Sequence, residues 1–442
     1  MKYPIKVGVV CLARHTFDSQ AAADLYRAVR DRLAKLEATR FEFVLELVVE
    51  VDEARAAAER LAASDLDGLI CISGTFHLGH LVLELAKGVD KPLLLWAWNE
   101  LPYDGGKIRL NSVCGLNLDA SNLYKAGIRN FHTCIGDELD TDWLDALRVL
   151  RCLREARVGI AGHHAHGFFN LSCYEPTTYR ALGVLVDHYE LDEIWGLTVS
   201  AEDLARHREK LGQTFELSGV SGEQIEKVAA LAARLRALFA RDKLHALAIR
   251  CWPEFAARYG VSPCAAMSLL QSEGLILGCE GDLEGALSML AHTAVGGETP
   301  FLFDFSQVNF AENFALLWHC GVAPANLWDE VSVRALDTYF AGGQGVTADF
   351  VLKPGPISIL RLDSAGTEQR IYLQRASGVP MPKQLKGTYL KVQFEEPVRA
   401  VLQQILDHGV AHHASMVYGN FLGPFRMLSK IKGWSLIGPG DG

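Results

Sequence analysis

The sequence lacks a CxxC pair, a dense block of lysine and arginine, and an apolar run long enough to cross a membrane. Its ten cysteines are scattered, several of them inside apolar segments, which is typical of reduced cytoplasmic thiols rather than of disulfides or a thiolate zinc site. The net charge of −10 argues against nucleic acid or an anionic membrane as the main partner. Only a short apolar run precedes Arg14, so we interpret the N-terminal segment as a strand and not as a secretion signal.

A glycine-rich phosphate loop is also missing. The segment CLARHTFD at the end of the first apolar run has neither GxGxxG nor P-loop spacing, which disfavours nucleotide binding. Hydrophobic residues make up 49% of the 442 residues and charged residues 22%, as in an ordinary globular protein. This length is sufficient for two or three domains with a large core.

Strand-like and helix-like segments alternate through the first two thirds of the chain. The order βαβαβαβ within residues 1–140 predicts a parallel, doubly wound sheet. A second α/β set follows over residues 157–325 and ends with the strand-like TPFLFDF. Over residues 326–442, short strand-like runs broken by glycine and proline predict an antiparallel, β-rich module. We therefore predict an α/β protein with two α/β domains followed by a β-rich C-terminal domain.

Two carboxylates follow apolar strands of the second domain. Glu254 comes after LHALAIR in the segment CWPEF, and Asp282 comes after LILGC in the segment CEGDLEGAL. Ligands bind at the carboxyl ends of strands in open α/β sheets. Moving a hydrogen between C1 and C2 of a sugar needs a base and a cation that stabilises the enediolate, and carboxylates suit both tasks. The alternative is structural: each acid caps the helix that follows it.

Two histidine-rich segments lie outside these strands. HHASMVYGN contains His412 and His413 after a predicted helix, and GHHAHGFFN contains His163, His164 and His166 after a predicted strand. Either segment could place imidazoles in a site, or could be a solvated polar loop. A thiol nucleophile at Cys320 beside His319 is disfavoured, because no third orienting group is evident.

Together, CWPEF, CEGDLEGAL, ETPFLFDF and HHASMVYGN resemble motifs of the L-fucose isomerase / L-arabinose isomerase superfamily. The resemblance implies two Rossmann-like domains and a β-rich C-terminal domain. It also implies an aldose–ketose isomerase that uses an enediol intermediate and Mn²⁺ or another divalent cation such as Co²⁺ or Mg²⁺. In this resemblance Glu254, Asp282 and His413 hold the metal, and the two carboxylates also move the proton.

The resemblance further implies a cytoplasmic homo-oligomer, a trimer or hexamer with its pocket near a subunit interface. Candidate substrate-binding residues are Arg14, His77, Asn117, His163, His166 and His319.

The sequence departs from the family pattern at two substrate positions. His319, Cys320 and Gly321 stand where the family has Asn-Ser-Gly, and the GHHAH loop is also unusual. A monosaccharide with an anionic group is therefore possible, with His163, His164, His166 and Arg14 as its natural partners. Two alternatives stay open at this point: an epimerase or lyase with the same enediolate chemistry, and a non-catalytic sugar-binding protein.

Overall fold

The computed structural model describes residues 1–439, which form two compact units. The first unit comprises residues 2–151 and 423–433. The second comprises Met1, residues 152–422 and the segment from Trp434 onward. Residues on both sides of position 325 lie in the second unit, so the predicted boundary between the second and third domains stays a prediction.

The first unit contains a five-stranded parallel sheet with the strand order β2-β1-β3-β4-β5. Its strands are apolar runs separated by helices, as the sequence predicts. They are β1 (Ile5–Leu12), β2 (Thr39–Phe43), β3 (Gly68–Ser73), β4 (Leu93–Ala97) and β5 (Phe131–Ile135). The helices are α1 (Ser19–Leu33), α2 (Val51–Ala62), α3 (His80–Val89), α4 (Ser112–Lys125) and α5 (Thr141–Glu155).

The second unit begins with a four-stranded parallel sheet of order β7-β6-β8-β9. This confirms that a second α/β region follows the first. Its strands are β6 (Arg157–Ala161), β7 (Leu185–Tyr189), β8 (Ala246–Ile249) and β9 (Ile276–Gly278). Its helices are α6 (Glu175–Leu182), α7 (Leu191–Trp195), α8 (Ala201–Thr214), α9 (Gly222–Asp242), α10 (Cys264–Ser272) and α11 (Leu283–Ala294).

The remaining strands form a nine-stranded mixed sheet of order β12-β13-β16-β11-β10-β17-β14-β15-β18. They are β10 (Phe301–Asn309), β11 (Phe314–His319), β12 (Ala335–Phe340), β13 (Gly345–Val351), β14 (Gly355–Ala365), β15 (Glu368–Val379), β16 (Thr388–Phe394), β17 (His413–Tyr418) and β18 (Ser435–Ile437). Helix α12 (Val398–Asp407) precedes β17, and α13 (Leu422–Lys432) follows it.

Six of these strands close into an antiparallel barrel, because β16 pairs with both β11 and β15. Strand β10 belongs to this barrel, whereas the sequence predicted TPFLFDF as the last strand of the second α/β set. The difference has a simple cause: only residues 310–313 separate β10 from β11. So short a connection joins antiparallel strands, while a parallel pair needs a crossover of a dozen residues or more.

Helix α11 lies between the parallel sheet and the barrel. It contacts β8 and β9 on one side and β10, β14 and β17 on the other. Its residues are buried around nearly the whole circumference, as expected for a helix covered on both sides. The N-terminus of α11 therefore lies where strands of both sheets meet. Within residues 1–439, no helix is long and apolar enough to cross a membrane.

Candidate active site

Two acids and three histidines meet where the parallel sheet adjoins the barrel. Glu280 follows β9, Asp304 lies in β10, His319 ends β11, and His412 and His413 lie at the start of β17. His413 Nε2 lies 3.4 Å from Glu280 Oε2 and 3.2 Å from Asp304 Oδ1. His412 Nε2 lies 3.5 Å from Glu280 Oε2, and the rings of His319 and His413 are 5.6 Å apart. We call these five residues the acid–histidine cluster.

Strand register brings distant parts of the chain together in this cluster. In the antiparallel pairing of β10 with β17, Asp304 stands opposite His413. In the pairing of β10 with β11, Asp304 stands opposite Trp318, the neighbour of His319. Directly opposed residues of antiparallel strands hold their side chains close on the same face. The acid and the imidazole therefore meet because of how the barrel strands pair.

A tight turn sets the direction of Glu280. This residue adopts a left-handed backbone conformation with φ 62°, and Gly281 follows with φ 74°. A Cβ at Gly281 would lie 2.1 Å from the carbonyl oxygen of His163, so only glycine fits there. Ala165 belongs to the histidine-rich loop, GHHAHGFFN, and its amide donates to Glu280 O at 2.8 Å. This hydrogen bond holds the loop against the turn. The histidine-rich loop and the turn thus support each other.

The two fully buried histidines of the cluster are held in different ways. His413 Nδ1 lies 3.0 Å from Asp282 Oδ2 and donates to it, so Nε2 is the ring nitrogen that faces the cluster. His319 Nδ1 instead accepts the backbone N–H of Cys320 at 2.9 Å, which leaves the proton on Nε2. His413 is therefore suited to bind a cation, and His319 to donate a hydrogen bond to a ligand.

Residues of the cluster have strongly shifted pKa values. Burial would raise the pKa of Glu280, but hydrogen bonds from His412 and His413 outweigh it and hold that pKa well below its ordinary value. The pKa of His413 is raised far above its usual value by Asp282, Asp304 and Glu280, against the effect of burial, so its Nε2 carries a proton that a bound cation would displace. Glu280 and Asp304 thus stabilise positive charge in the buried interior of the cluster.

These donors fit a divalent cation. Carboxylate oxygens and imidazole nitrogens are ligands that Mn²⁺ and similar ions accept. Two triads place their donor atoms close together: Glu280–His319–His413 and Asp304–His412–His413. Within each triad, the donor atoms lie within 4.8 Å of one another. The Nε2 atom of His319 is buried and makes no hydrogen bond within residues 1–439. Buried polar atoms are normally paired, so this one is arranged for a ligand that the described chain does not supply.

Asp282 lies behind His413 rather than among the cluster atoms. It is fully buried at the N-terminus of α11, where its Oδ1 accepts the amide of Gly285 at 2.8 Å. Arg361 donates to both carboxylate oxygens, at 2.7 and 3.2 Å, and His413 Nδ1 takes the remaining position on Oδ2. The capping alternative for Asp282 is confirmed by this geometry. Its role as a metal ligand stays a prediction that these contacts do not favour.

Glu254 lies at the start of a five-residue π-helix, Phe255–Tyr259, after the carboxyl end of β8. Its Oε1 lies 3.1 Å from Arg250 Nη2, while its Oε2 is buried without a hydrogen-bond partner in the described chain. Strands β8 and β9 are parallel neighbours, so Glu254 and Glu280 follow adjacent strands. Of the three predicted ligands, the structure places only His413 in the cluster, and the role of Glu254 stays a prediction.

The histidine-rich loop lies beside the cluster. Phe168 packs edge-on to His412 with ring centroids 5.4 Å apart, and Asn170 Nδ2 lies 2.9 Å from His412 Nδ1. His163 accepts the His164 amide on Nδ1 at 2.8 Å, which leaves its Nε2–H for another partner. His163 and His166 are exposed. Their place is compatible with the predicted contact to substrate, which stays a prediction.

The other predicted substrate residues lie in the first unit. Arg14 is half-buried, and its backbone N–H donates to Thr75 Oγ1 at 2.8 Å. Asn117 is exposed on α4. His77 is fully buried: its Nδ1 lies 2.9 Å from Thr75 O and its Nε2 lies 3.0 Å from both oxygens of Asp119. Both ring nitrogens of His77 are thus engaged within the protein, which favours a structural role.

Replacing His77 by leucine is expected to lower the free energy of unfolding by about 1–3 kcal/mol, because the Asp119 carboxyl and the Thr75 carbonyl lose their buried donor. Chemical denaturation measures this loss, and His80→Leu at the exposed start of α3 is the control. An increase in KM without loss of stability would instead support the binding role predicted from the sequence.

Glu284, in the first turn of α11, makes stability depend on pH. Burial raises the pKa of its carboxyl from 4.5 to about 7, against the lowering effect of Arg361. Because the folded pKa is the higher one, the folded state binds more protons between these values, and stability falls as pH rises from about 4.5 to about 7. We expect this carboxyl to lower the free energy of unfolding by about 3 kcal/mol as the pH rises from about 4.5 to about 7.

The substitution Glu284→Gln should remove this cost, so the variant should lose less stability than the wild type between pH 4.5 and pH 8. Denaturant unfolding at both pH values measures the difference. The exposed Glu298→Gln should behave as the wild type. Identical pH profiles for wild type and Glu284→Gln would refute the assignment.

Several cluster residues were not identified as functional from the sequence. Glu280 and Asp304 lie inside CEGDLEGAL and ETPFLFDF, but the pattern does not rank Glu280 above Asp282. The signal that separates them is the helix that begins at Leu283, because Asp282 then takes the capping position. The sequence does not indicate that Arg361 is important, because Arg361 reaches Asp282 and His413 only through the pairing of β14 with β17.

Comparison with known proteins agrees with these motifs. Residues 8–148 match the model of the fucose/sulfoquinovose isomerase N-terminal domain. A sulfoquinovose isomerase of Priestia megaterium is 25% identical over 421 residues, which cover 93% of this chain and 94% of that protein. A sulfoquinovose isomerase of Alkalicoccus urumqiensis is 24% identical over 436 residues, covering 95% and 96% of the two chains. These similarities support the fucose isomerase-like superfamily and the activity of a sugar isomerase.

Proposed function

We propose that this protein interconverts an aldose and a ketose that carry an anionic group, through an enediol or enediolate and with a divalent cation. The main support for this function is the environment of the His413 ring. Asp282 fixes one ring nitrogen, and the other lies within 3.4 Å of two carboxylates. This is how proteins orient an imidazole that binds a metal ion.

His413 would hold the cation together with the acid of either triad, Glu280 or Asp304, and His412 would border it. A bound divalent cation supplies positive charge that stabilises the negative oxygens of an enediolate. The proposal gives Glu280 the ligand role that the sequence suggested for Asp282, because Arg361, Gly285 and His413 already engage both oxygens of Asp282. Mn²⁺ is the expected ion.

Glu254 is the proposed base that carries the proton between C1 and C2. Arg250 engages one of its oxygens and fixes the carboxylate, while the other oxygen has no partner in the described chain and is available to accept a proton. His319 would donate its Nε2–H to a sugar oxygen, because its Nδ1 already accepts a hydrogen bond. These residues thus divide proton transfer and substrate binding between them.

The anionic substrate is proposed from two observations. The similar proteins are sulfoquinovose isomerases, and sulfoquinovose is a hexose with a sulfonate at C6. The histidine-rich loop lies next to the cluster and presents imidazole N–H groups from His163 and His166. Such groups suit a sulfonate oxygen better than they suit a methyl group.

The test is a comparison of substrates. Protein with Mn²⁺ is incubated with sulfoquinovose, D-glucose or L-fucose, and the products are followed by NMR. We expect kcat/KM for sulfoquinovose to exceed that for D-glucose by about 10²-fold or more, because polar groups built for an anion are left unpaired by a neutral sugar. Equal rates would refute the anionic substrate. Cleavage or inversion without ketose would indicate a lyase or epimerase, and binding without turnover a sugar-binding protein.

A double variant tests the loop. His163→Ala combined with His166→Ala should lower the ratio of kcat/KM for sulfoquinovose to kcat/KM for D-glucose. His245→Ala, before β8 at the opposite end of the parallel sheet, should leave it unchanged. A homo-oligomer, a cytoplasmic location and substrate contacts from Arg14 and Asn117 stay predictions.

A further inference from the structure

Four alternating charges link the protein surface to the ring of His413. Arg370 Nε donates to Asp363 Oδ2 at 2.7 Å, and Arg361 Nε donates to Asp363 Oδ1 at 2.9 Å. Arg361 then donates to both oxygens of Asp282, which accepts from His413 Nδ1 at 3.0 Å. We call Arg370, Asp363, Arg361 and Asp282 the charge ladder. Charge-assisted and bidentate bonds of this kind fix geometry more strictly than neutral ones.

The ladder also holds the backbone that leads to His413. Arg370 donates to the carbonyl oxygens of His408 and Gly409 at 2.5 and 2.9 Å, and Arg361 Nη1 donates to His413 O at 3.1 Å. These carbonyls lie at the two ends of the connection between α12 and β17. Both the ring of His413 and the segment that carries it are therefore tied to the same pair of arginines.

The ladder is buried more deeply as it approaches His413. The side chain of Arg370 is 15% exposed and that of Asp363 is 3% exposed, while Arg361 and Asp282 are fully buried. Buried ion pairs gain little stability over apolar packing, because desolvation offsets their attraction. Their usefulness lies in fixed geometry, and the group that this ladder fixes is an imidazole of the acid–histidine cluster.

We propose that Arg361 is a positioning residue that acts through Asp282. It holds the carboxylate so that Asp282 accepts from His413 Nδ1, and this sets both the tautomer and the place of the ring. The consequence for cation affinity rests on the proposed function, whereas the consequence for the ring does not. Arg370 and Asp363 support Arg361 from the outer side, so their loss should have the same effect in weaker form.

The test measures the Mn²⁺ dissociation constant by isothermal titration calorimetry on the full-length protein. We expect Arg361→Met to raise it by about 10–100-fold, the usual cost of removing a group that orients a metal ligand. Arg361→Lys, which cannot form the bidentate contact, should recover part of the loss, and Arg370→Met should raise the constant by only a few-fold. Arg148→Met is the matched control, because Arg148 is a buried arginine with its own network in the first unit. It should lower stability without changing Mn²⁺ affinity.

Crystal structures of metal-free wild type and variants supply a second measurement. The ring of His413 should leave its 3.0 Å contact with Asp282 in Arg361→Met and should move less in Arg361→Lys. An unmoved ring together with unchanged Mn²⁺ affinity would overturn the proposal. If wild type binds no Mn²⁺, the proposed function fails and the ring position alone decides on the ladder. If Arg361→Met does not fold, Arg370→Met and Asp363→Asn decide in its place.

Discussion

His413→Ala is expected to lower kcat/KM by about 10³-fold or more. His413 Nε2 lies within 3.4 Å of both Glu280 and Asp304, so its loss removes the nitrogen that the two carboxylates share. A metal ion contributes several kcal/mol of charge stabilisation to such reactions, and each tenfold in rate corresponds to about 1.4 kcal/mol. Steady-state kinetics with the sulfonated aldose and added Mn²⁺ measures the loss, and metal analysis of the purified variant should show depleted metal.

His408→Ala is the control, since His408 lies at the α12 end of the same connection and its exposed ring hydrogen-bonds Gln404 O. It should keep wild-type activity and metal content. A His413→Ala variant that retains stoichiometric metal and more than a tenth of the wild-type rate would contradict the assignment.

Glu254→Gln is expected to lower kcat by about 10²–10⁴-fold, the usual contribution of a positioned general base. The amide keeps the shape and the contact to Arg250 but cannot accept the proton from the sugar carbon. Because Glu254 lies outside the acid–histidine cluster, the variant should bind Mn²⁺ with nearly wild-type affinity. Stopped-flow or steady-state kinetics, combined with calorimetric Mn²⁺ titration, separates the two effects.

Glu298→Gln, an exposed glutamate after α11, serves as the control and should be fully active. Loss of Mn²⁺ binding in Glu254→Gln would show that Glu254 is a ligand, as the family resemblance implies. Unchanged kcat would show that another group carries the proton.

The fold was predictable wherever local pattern decides it. Buried parallel strands such as Ile5–Leu12 and Gly68–Ser73 are near-continuous apolar runs between amphipathic helices, so both parallel regions could be recognised. The barrel was predicted only as a β-rich module, because its closure through β15 and β16 is a long-range pairing without a local signal. Strand β10 lies in the barrel and not in the second α/β set for a different reason, its short connection to the antiparallel strand β11.

The site could be predicted only in part. His413 and the turn that carries Glu280 lie in recognisable motifs, and His319 was predicted to face the substrate. The choice between Glu280 and Asp282 depends on which acid caps α11, and the cap leaves Asp282 facing Arg361 instead of the cluster. Asp304 joins the cluster through strand register, which composition and spacing do not determine.

Deuterium incorporation shows whether the reaction passes through a cation-dependent enediol. The Mn²⁺-loaded protein is incubated with sulfoquinovose in D₂O, the recovered sugars are analysed by NMR, and a chelator-treated sample is run in parallel. We expect a ketose product, deuterium at C2 of the recovered aldose, and loss of both after chelation. Ketose formed without deuterium would count against an enediol whose proton exchanges with solvent, and full activity after chelation would contradict a cation held by the acid–histidine cluster.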